Sequence, residues 1–397
     1  MVVVPSHMRH LNTQALLGCL RRLGVASRAE LAKSMGMSQP TAGKIVEDLL
    51  SLGVLEEVGG EEANARETQT VMAGCPAGRS GHLGRPGRMV RLDRSRARFI
   101  GIQLGVVRTQ MAALTVGGVE EDRWTLQFPT PDNLAAWIRG LRAAARKWPQ
   151  NVFWGVVVSV PGIVDESAGR VLFSPNLHWT EAAELRQMIQ DVWAVPVLLV
   201  QEERALALGH LSARPEDHDF LLVDFGYGVG GAVVVDGRLY ANPLPISGEL
   251  GHTPVKGNSR ACGCGAVGCV ETLISRRGLL ESFGVQRRKG EVSWAALVQD
   301  IEKKGISPWL GDALDAAGTV IAGALNVLGL RKVVLTGSLG ELPPAVLDHL
   351  SVAILSGAMW ARFGEMECQE APRRRTAGLV GMAIDRLVIP MTAREGS

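Results

Sequence analysis

Hydrophobic residues in the first sixty positions recur at the spacing of amphipathic helices. In LNTQALLGCLRRLG (11–24), four leucines share one helical face and a glycine ends the pattern. In SRAELAKSMGM (27–37), Ser27 caps a second helix, and an acidic residue three positions later completes a capping box. A third helix begins in SQPTAGKIVEDLLSLG (38–53), with Ser38 as its cap. The pattern therefore predicts three short helices in succession.

Three helices with a glycine turn between the second and the third are typical of a helix-turn-helix. In that motif the first residues of the third helix reach base edges in the major groove. Here these residues are small, polar or cationic: Ser38, Gln39, Pro40, Thr41 and Lys44. Gln39 suits adenine, and Lys44 suits phosphate or guanine. A plain three-helix bundle with a polar edge is the alternative, but the caps and the basic segment that follows favour DNA binding.

Two short apolar segments after the third helix can pair as the strands of a wing. They are VLEEVG (54–59) and RMVRLD (88–93). The loop between them, 60–87, is long and rich in Gly, Ala and Arg. Its end, GRPGR, carries Arg85 and Arg88, which suit phosphates or a minor groove. The same five residues are also consistent with a simple basic turn.

From residue 99 onward, buried strand patterns alternate with helical ones, which predicts an α/β body. Strands or strand-turns are predicted in five segments: RFIGIQLGVVRTQMAALTV (98–116), VFWGVVVSVPGIVD (152–165), PVLLVQ (196–201), DFLLVDFGYGVGGAVVVDGRLY (219–240) and KVVLTGSL (332–339). The turns at Gly105 and Gly226–Gly231 can cradle phosphates through backbone amides. They are equally consistent with ordinary glycine hairpins.

Composition limits the class of protein. The chain has 397 residues, 46% of them apolar, and no apolar run approaches the roughly 20 residues of a membrane span. We therefore expect a soluble, cytoplasmic protein of two or three domains with no membrane partner. Net charge is only +2, but residues 63–98 hold eight arginines against two acidic residues. This segment indicates either a polyanion partner or a solvated arginine-rich loop.

Three of the six cysteines lie in one short loop, GHTPVKGNSRACGCGAVGCVET (251–272). With the histidine upstream they give the set His252, Cys262, Cys264 and Cys269. Three thiolates and one imidazole make a closed tetrahedral zinc site, and the glycines between them allow tight turns. Free thiols or a redox pair are the alternative. In a chain otherwise poor in cysteine, the pattern favours a structural Zn²⁺ that orders the loop.

The chain resembles the ROK family, which groups sugar-responsive repressors and sugar kinases. SGELGHTPV (247–255) followed by CGCGAVGCVET (262–272) is the most specific signature. SVPGIVDESAGRVLFSPNLHW (159–179) and PVLLVQEERALALG (196–209) match two others. The N-terminal helices and the Gly-Arg-Pro of the wing resemble the repressor branch of the family.

This resemblance implies a division of the chain. A winged helix-turn-helix domain would occupy 1–95, and a two-lobed, actin-like (ribonuclease H-like) ATPase-type body would occupy 96–397. Lobe one would comprise about 96–215 and a C-terminal helix at 376–392. Lobe two would comprise about 216–375.

The resemblance also implies the residues of the ligand sites. The family's zinc ligands fall on His252, Cys262, Cys264 and Cys269, the same four that the spacing indicates. Its sugar contacts fall on Glu249, His252, Glu271 and Asn176, and its Asn-Asp pair aligns with Gln201 and Glu202. His252 would then bind zinc through one ring nitrogen and face the sugar with the other.

The phosphate-binding residues of the family's kinases are replaced in this chain. Gln103, Val106 and Val107 stand where those kinases have an Asp, a Gly and a Thr, and Tyr227 replaces a loop threonine. Glu202 is a longer carboxylate at the position of the catalytic base. Phosphoryl transfer depends on positioning and on Mg²⁺. The sequence therefore predicts a non-enzyme that retains a sugar pocket, with Glu202 as a vestige of the base.

Taken with the DNA-binding head, these features predict a transcriptional repressor of carbohydrate genes controlled by a sugar or sugar phosphate. Its partner would be double-stranded operator DNA, bound as a homodimer or homotetramer. The alternative is an ATP-dependent sugar kinase that retains a DNA-binding head. An effector that is not a sugar, or a protein partner, also stays open.

Overall fold

The described residues form four β-sheets, of three, five, five and two strands, with helices packed around them in a mixed α/β arrangement. The computed structural model describes six stretches of the chain: residues 5–58, 88–118, 124–148, 152–241, 244–287 and 291–394.

The N-terminal head contains the three predicted helices. They are α1 (Pro5–Leu23), α2 (Arg28–Ser34) and α3 (Gln39–Ser51). The capping box of α2 is present, because Glu30 N donates to Ser27 Oγ at 3.2 Å and Ser27 N donates to Glu30 Oε2 at 2.7 Å. Gly36 ends α2 with a φ of 62°, a left-handed conformation that favours glycine. Ser38 then caps α3 by accepting from Thr41 N.

The predicted wing is also confirmed. Strands β2 (Leu55–Val58) and β3 (Met89–Leu92) pair antiparallel, with Val58 opposite Met89. A third strand, β1 (Val25–Ser27), pairs with the other edge of β3. The sequence did not predict β1, because three residues are too few to show a strand period. The whole loop at 60–87, including Arg85, lies outside the described residues.

The first lobe is built on a five-stranded sheet with the order β10-β7-β4-β5-β6. Its strands are β4 (Ala97–Leu104), β5 (Arg108–Thr115), β6 (Leu126–Pro129), β7 (Gly155–Val160) and β10 (Val197–Gln201); a separate hairpin pairs β8 (Ile163–Asp165) with β9 (Arg170–Phe173). Helices α4 (Leu134–Ala145) and α5 (Leu185–Trp193) connect these strands, and α6 (Glu202–Ala213) leads from β10 to the second lobe. The parallel trio β10, β7 and β4 is almost wholly buried, as crossover connections require.

The second lobe has a sheet of the same size with the order β13-β12-β11-β14-β15. Its strands are β11 (Phe220–Phe225), β12 (Val229–Val235), β13 (Arg238–Leu239), β14 (Lys332–Gly337) and β15 (Glu367–Glu370). Its helices are α7 (Glu271–Ile274), α8 (Arg276–Gln286), α9 (Trp294–Lys304), α10 (Pro308–Leu328) and α11 (Pro344–Gly357). The five strand segments predicted from the sequence thus all contain strands.

The chain returns to the first lobe through α12 (Arg375–Ala383), a π-helical segment (Ile384–Val388) and α13 (Ile389–Arg394). The predicted C-terminal helix at 376–392 is therefore not one regular α-helix. Helices α6 and α12 lie so close that a Cβ on Gly209 would collide with the carbonyl of Arg374. This contact ties the C-terminal helix firmly to the helix that follows β10.

The head shares a hydrophobic core with the body. Leu16 and Leu20 of α1 belong to the same buried cluster as Leu379, Val388 and Ile389 of the C-terminal helices. The predicted boundary between residues 95 and 96 falls between β3 and β4, and the division into domains and lobes stays a prediction. Within the described stretches, no helix is long and apolar enough to cross a membrane.

Candidate functional site

A cleft of about 470 Å³ opens between the two five-stranded sheets. The glycine turn after β4 lines one side, and the glycine turn between β11 and β12 lines the other. The residues that follow β7 and β10 complete the floor. Both turns that the sequence marked as phosphate cradles or plain hairpins therefore face one cavity.

All six predicted sugar-contacting residues line this cleft: Asn176, Gln201, Glu202, Glu249, His252 and Glu271. They come from four separate segments of both lobes. Gln201 Nε2 bridges the lobes by donating to Glu249 Oε1 at 3.2 Å and to the Ser247 carbonyl at 3.3 Å. Glu271 is held by the backbone amide of Val229, which donates to its Oε2 at 2.8 Å.

Glu202 is engaged in a partly buried ion pair. Arg375 Nε lies 2.7 Å from Glu202 Oε1, with the side chains 17% and 14% exposed. Gln103 Nε2 donates to the same oxygen at 3.1 Å. Burial opposes ionisation of Glu202, but the charges of Arg375 and Arg373 outweigh it and lower its pKa. A carboxylate held in its ionised form in this way is a weak proton acceptor.

A second ion pair lies beside the first. Arg373 holds Asp224 through two hydrogen bonds of 2.6 and 2.9 Å, and it also donates to the Phe225 carbonyl. The sequence interpretation did not include Arg373, Arg375 or Asp224. The run of three arginines at 373–375 was the one feature of the sequence that could have indicated them. The first and third of these arginines line the cleft.

Glu203 is a further carboxylate in the wall of the cleft, and its surroundings differ from those of Glu202. Its side chain lies against Gly230, where a Cβ would approach Glu203 Oε1 to 2.7 Å. Its Oε2 atom is shielded from solvent and has no hydrogen-bond partner among the described residues. Burial, followed by the charges of Glu202 and Asp224, raises the pKa of Glu203 well above its ordinary value. No pattern in the sequence singled out this residue.

The histidine and three cysteines of the loop after β13 converge. His252, Cys262, Cys264 and Cys269 each offer one ligand atom, and these atoms lie within 4.8 Å of one another. Gly265 and Gly268, with φ of 89° and 86°, turn the backbone between the sulfurs. The cluster can hold a metal ion.

Two of the separations between these atoms match those around a tetrahedral ion. Cys262 Sγ lies 3.5 Å from His252 Nδ1, and Cys264 Sγ lies 3.7 Å from Cys269 Sγ. Ligand atoms around a tetrahedral zinc sit roughly 3.5 to 3.8 Å apart, given Zn–S near 2.3 Å and Zn–N near 2.0 Å. Burial and the neighbouring thiols raise the pKa of Cys269 to about 12. A cation between the sulfurs would let them ionise together.

The imidazole of His252 connects the cluster to the cleft. With Nδ1 toward Cys262, its Nε2 lies 3.7 Å from Glu249 Oε2. A metal on Nδ1 would therefore fix the ring orientation beside a carboxylate that lines the cleft.

Glu166 links the cleft to the C-terminal helix. Its Oε1 accepts from the Gln201 amide at 3.4 Å and from Arg204 Nε at 3.1 Å. Its Oε2 lies 3.5 Å from Arg386 in the π-helical segment. Arg386 also lines a cavity of about 690 Å³ between the body and α1 of the head. Sequence patterns could not show this network, because its members are far apart in the chain.

The predicted DNA-contacting residues of the head that the structure describes are all exposed. Ser38, Gln39, Pro40, Thr41 and Lys44 are all exposed at the start of α3. Arg88 is exposed at the base of the wing, 3.1 Å from Glu57. Arg85 lies outside the described residues. The six described positions are therefore accessible to a partner at the surface.

The fold and the site together define a two-lobed α/β body that carries a winged helix-turn-helix head. The chain belongs to the ROK family, whose family model matches residues 99–386. The family resemblance and the mixed α/β fold predicted from the sequence are thereby confirmed.

Relatives of two kinds match this chain. The xylose repressor of Caldicellulosiruptor bescii is 22% identical and covers 94% of each chain. The glucokinase of Halalkalibacterium halodurans is 24% identical and covers 71% of this chain and 93% of its own. A crystal structure of a ROK family transcriptional regulator, a homologue of the E. coli MLC protein, superposes with a TM-score of 0.73 at 20% identity. That match covers 98% of this chain and all of the regulator.

Proposed function

We propose that this protein is a DNA-binding transcriptional repressor of carbohydrate genes whose operator binding is controlled by a sugar. The observation that carries the proposal is that one chain combines two features. The polar residues at the start of α3 are exposed, and Glu202, at the position of the kinases' catalytic base, forms an ion pair with Arg375 in the cleft. The end-to-end similarity to a xylose repressor supports it.

The head would dock with α3 in the major groove. Ser38, Gln39, Pro40 and Thr41 would face base edges, and Lys44 would contact phosphate or guanine. Arg88, with Arg85, would contact the DNA from the wing. Two heads related by a twofold axis would read a palindromic operator, so the active form is a homodimer or a homotetramer.

The sugar would bind between the lobes, in contact with Asn176, Gln201, Glu202, Glu249, His252 and Glu271. Because Gln201 joins Glu249 of one lobe to Glu166 of the other through short contacts, ligand binding can alter the Glu166 network. That network reaches Arg386 beside the head. A sugar that binds one lobe arrangement better than the other would shift the population of head positions.

We also propose that His252, Cys262, Cys264 and Cys269 hold a structural Zn²⁺. The support is the convergence of four ligand atoms within 4.8 Å, two of whose separations match a tetrahedral ion, and the burial of Cys262 and Cys269. The metal would order the loop between residues 252 and 269 and hold the His252 ring toward the cleft.

A sugar kinase is the second candidate, and the similarity to a glucokinase along most of that enzyme favours it. The residues that line the cleft argue against kinase activity. Gln103 stands at the position of the metal-binding carboxylate and donates to Glu202, whose pKa is lowered. Gln103→Asp should therefore raise any residual ATP-dependent phosphorylation of hexoses, measured with a coupled assay. Hexose turnover by the unaltered protein would revive the kinase candidate.

Fluorescence anisotropy tests the repressor proposal. The purified protein is titrated onto DNA from upstream of its own gene, with and without monosaccharides, amino sugars and sugar phosphates. Salt-sensitive binding that one ligand weakens or strengthens is the expected result. Operator binding that no sugar alters would overturn control by a sugar and point to a protein partner or another ligand.

A further inference from the structure

The cleft between the lobes has more room than a single sugar ring occupies. Its volume is about 470 Å³, within the range of roughly 300–1,000 Å³ that pockets for larger organic ligands have. Besides the six proposed sugar contacts, two glycine turns line it, at 105–108 and 226–228. We call these two turns the turn region. None of the six contacts belongs to it, so the proposed sugar site leaves this part of the lining without a ligand.

In each turn of the turn region, the first backbone amide is occupied by an acceptor of the protein itself. Gly105 N donates to the Arg108 carbonyl at 3.1 Å. Gly226 N donates to the Gly228 carbonyl at 2.8 Å. A phosphate cradle directs several free backbone amides at one anion. Neither turn therefore presents its full set of amides to a phosphate.

The cations that line the cleft are largely neutralised. Among the described residues, no lysine and four arginines line it, and three of the arginines form ion pairs of 2.6 or 2.7 Å: Arg276 with Glu341, Arg373 with Asp224 and Arg375 with Glu202. The fourth, Arg108, donates to Gln127 at 3.1 Å. Phosphate groups are bound by cations that have no other acidic partner. Paired guanidinium and carboxylate groups instead offer donors and acceptors side by side, which suits hydroxyl groups.

Two large apolar side chains in the turn region are exposed. Val107 in the first turn is 57% exposed, and Tyr227 in the second is 48% exposed. An exposed tyrosine presents an apolar ring face with a polar hydroxyl at its edge. A sugar ring has the complementary form, with C–H groups on its face and hydroxyl groups around its edge. The turn region thus suits an uncharged sugar ring better than a phosphate.

The position of Tyr227 places such a ring next to the proposed sugar site. A Cβ on its neighbour Gly228 would approach Glu271 Oε2 to 2.7 Å. The same oxygen accepts from Val229 N at 2.8 Å, just after the turn. A ligand ring on Tyr227 would therefore adjoin a ring bound at Glu271, at a distance that a glycosidic bond can span.

From this arrangement we propose that the effector is a neutral disaccharide. One ring lies among Glu249, His252 and Glu271, and the second lies in the turn region against Tyr227. The inference rests on the proposed function and narrows its ligand class. Tyr227 stands where the family's kinases have a phosphate-loop threonine, and it acts here as a specificity-determining residue that favours a second sugar ring in that place.

Isothermal titration calorimetry with matched ligands tests the inference. Xylose is compared with xylobiose, glucose with cellobiose and maltose, and galactose with lactose. At least one disaccharide should bind on the order of tenfold more tightly than its monosaccharide, the gain expected from one ring stacked on an aromatic side chain. A monosaccharide that binds at least as tightly as every disaccharide would overturn the inference. Binding of a non-hydrolysable ATP analogue with Mg²⁺, in competition with the disaccharide, would overturn it as well.

Variants of Tyr227 test whether its ring is responsible. In Tyr227→Ala the ratio of disaccharide to monosaccharide affinity should fall about tenfold, whereas Tyr227→Phe keeps the ring and should retain the ratio within about twofold. Tyr240→Ala is the matched control, because Tyr240 is similarly exposed, at 47%, but does not line the cleft. It should leave the ratio unchanged. The same ratio in Tyr227→Ala as in the parent protein would refute the role of Tyr227.

The outcomes also separate this inference from the function on which it rests. A monosaccharide that alters operator affinity, and that no disaccharide surpasses in binding, would support the proposed function and refute the second ring alone. If no saccharide of either size binds, both are refuted.

Discussion

Glu166→Gln should weaken communication between the cleft and the head while leaving both binding sites intact. Arg204 Nε lies 3.1 Å from Glu166 Oε1, and these side chains are only 15% and 12% exposed. A charge-assisted hydrogen bond of this kind contributes about 1.5–3 kcal/mol. Arg386, at 3.5 Å and 52% exposed, adds less than about 1 kcal/mol. Glutamine keeps an acceptor oxygen but removes the charge from both contacts.

Only the part of this energy that differs between the sugar-bound and sugar-free states couples the sites. If that part is about 1 kcal/mol, the ratio of operator affinities without and with the effector should fall about fivefold. Anisotropy at about 0.15 M salt gives the ratio, and calorimetry gives the sugar affinity. Both single-ligand affinities should stay within about twofold of the parent protein.

The matched control for this prediction is Glu216→Gln. It removes an acidic partner from an exposed pair with Arg214, away from the network. An unchanged affinity ratio in Glu166→Gln, with both single-ligand affinities intact, would refute the coupling route through Glu166.

Three further predictions concern the DNA edge, the metal and acid stability. Lys44→Ala should weaken operator binding and lower the salt-dependence slope by about one, while Lys303→Ala on α9 should change neither; equal slopes for both would exclude a phosphate contact at Lys44. Cys269→Ser should abolish the bound zinc measured by atomic absorption and lower the Tm, whereas Cys368→Ser should keep the metal; zinc retained in Cys269→Ser would contradict the ligand set. Burial opposes ionisation of Asp217, but hydrogen bonds from Lys332 and His210, at 2.6 and 2.7 Å, outweigh it and lower its pKa. Its stabilisation is therefore present above the unfolded pKa of about 3.9 and lost as pH falls through the lower folded value. Asp217→Asn should lower the Tm near neutral pH and flatten its fall below about pH 5; a Tm curve parallel to that of the parent protein would contradict this.

Local sequence patterns were sufficient to predict the helices of the N-terminal head and the cluster of His252 with three cysteines. The capping box at Ser27 and the cap at Ser38 depend on contacts three residues apart, which a sequence displays directly. The cysteines of the zinc-type cluster lie within one loop, so their convergence follows from spacing and glycine turns. The six proposed sugar contacts came from the family resemblance, and the structure brings all of them to one cleft.

The ion pairs in the cleft could not be predicted from local sequence patterns. Arg375 lies 173 positions from Glu202, and Arg373 lies 149 positions from Asp224. In the sequence, these arginines and carboxylates cannot be distinguished from charged residues on a solvated surface. The ion pair with Arg375 restrains the carboxylate of Glu202. From the sequence alone, Glu202 could be described only as a longer side chain than the Asp at the family's base position.

By itself, then, the sequence determined the helices and strands, including α3 with its exposed polar start, and the membership of the His/Cys cluster, because backbone preferences and short-range spacing act within one or two turns of chain. Only the tertiary structure decided which carboxylates form ion pairs, as Glu202 does, and which atoms, like Glu203 Oε2, have no hydrogen-bond partner in the described part of the chain. It also decided that Glu166 joins the cleft to the C-terminal helix beside the head. The physical reason is that electrostatic pairing and burial depend on distance in space, and folding sets that distance between residues far apart in the chain.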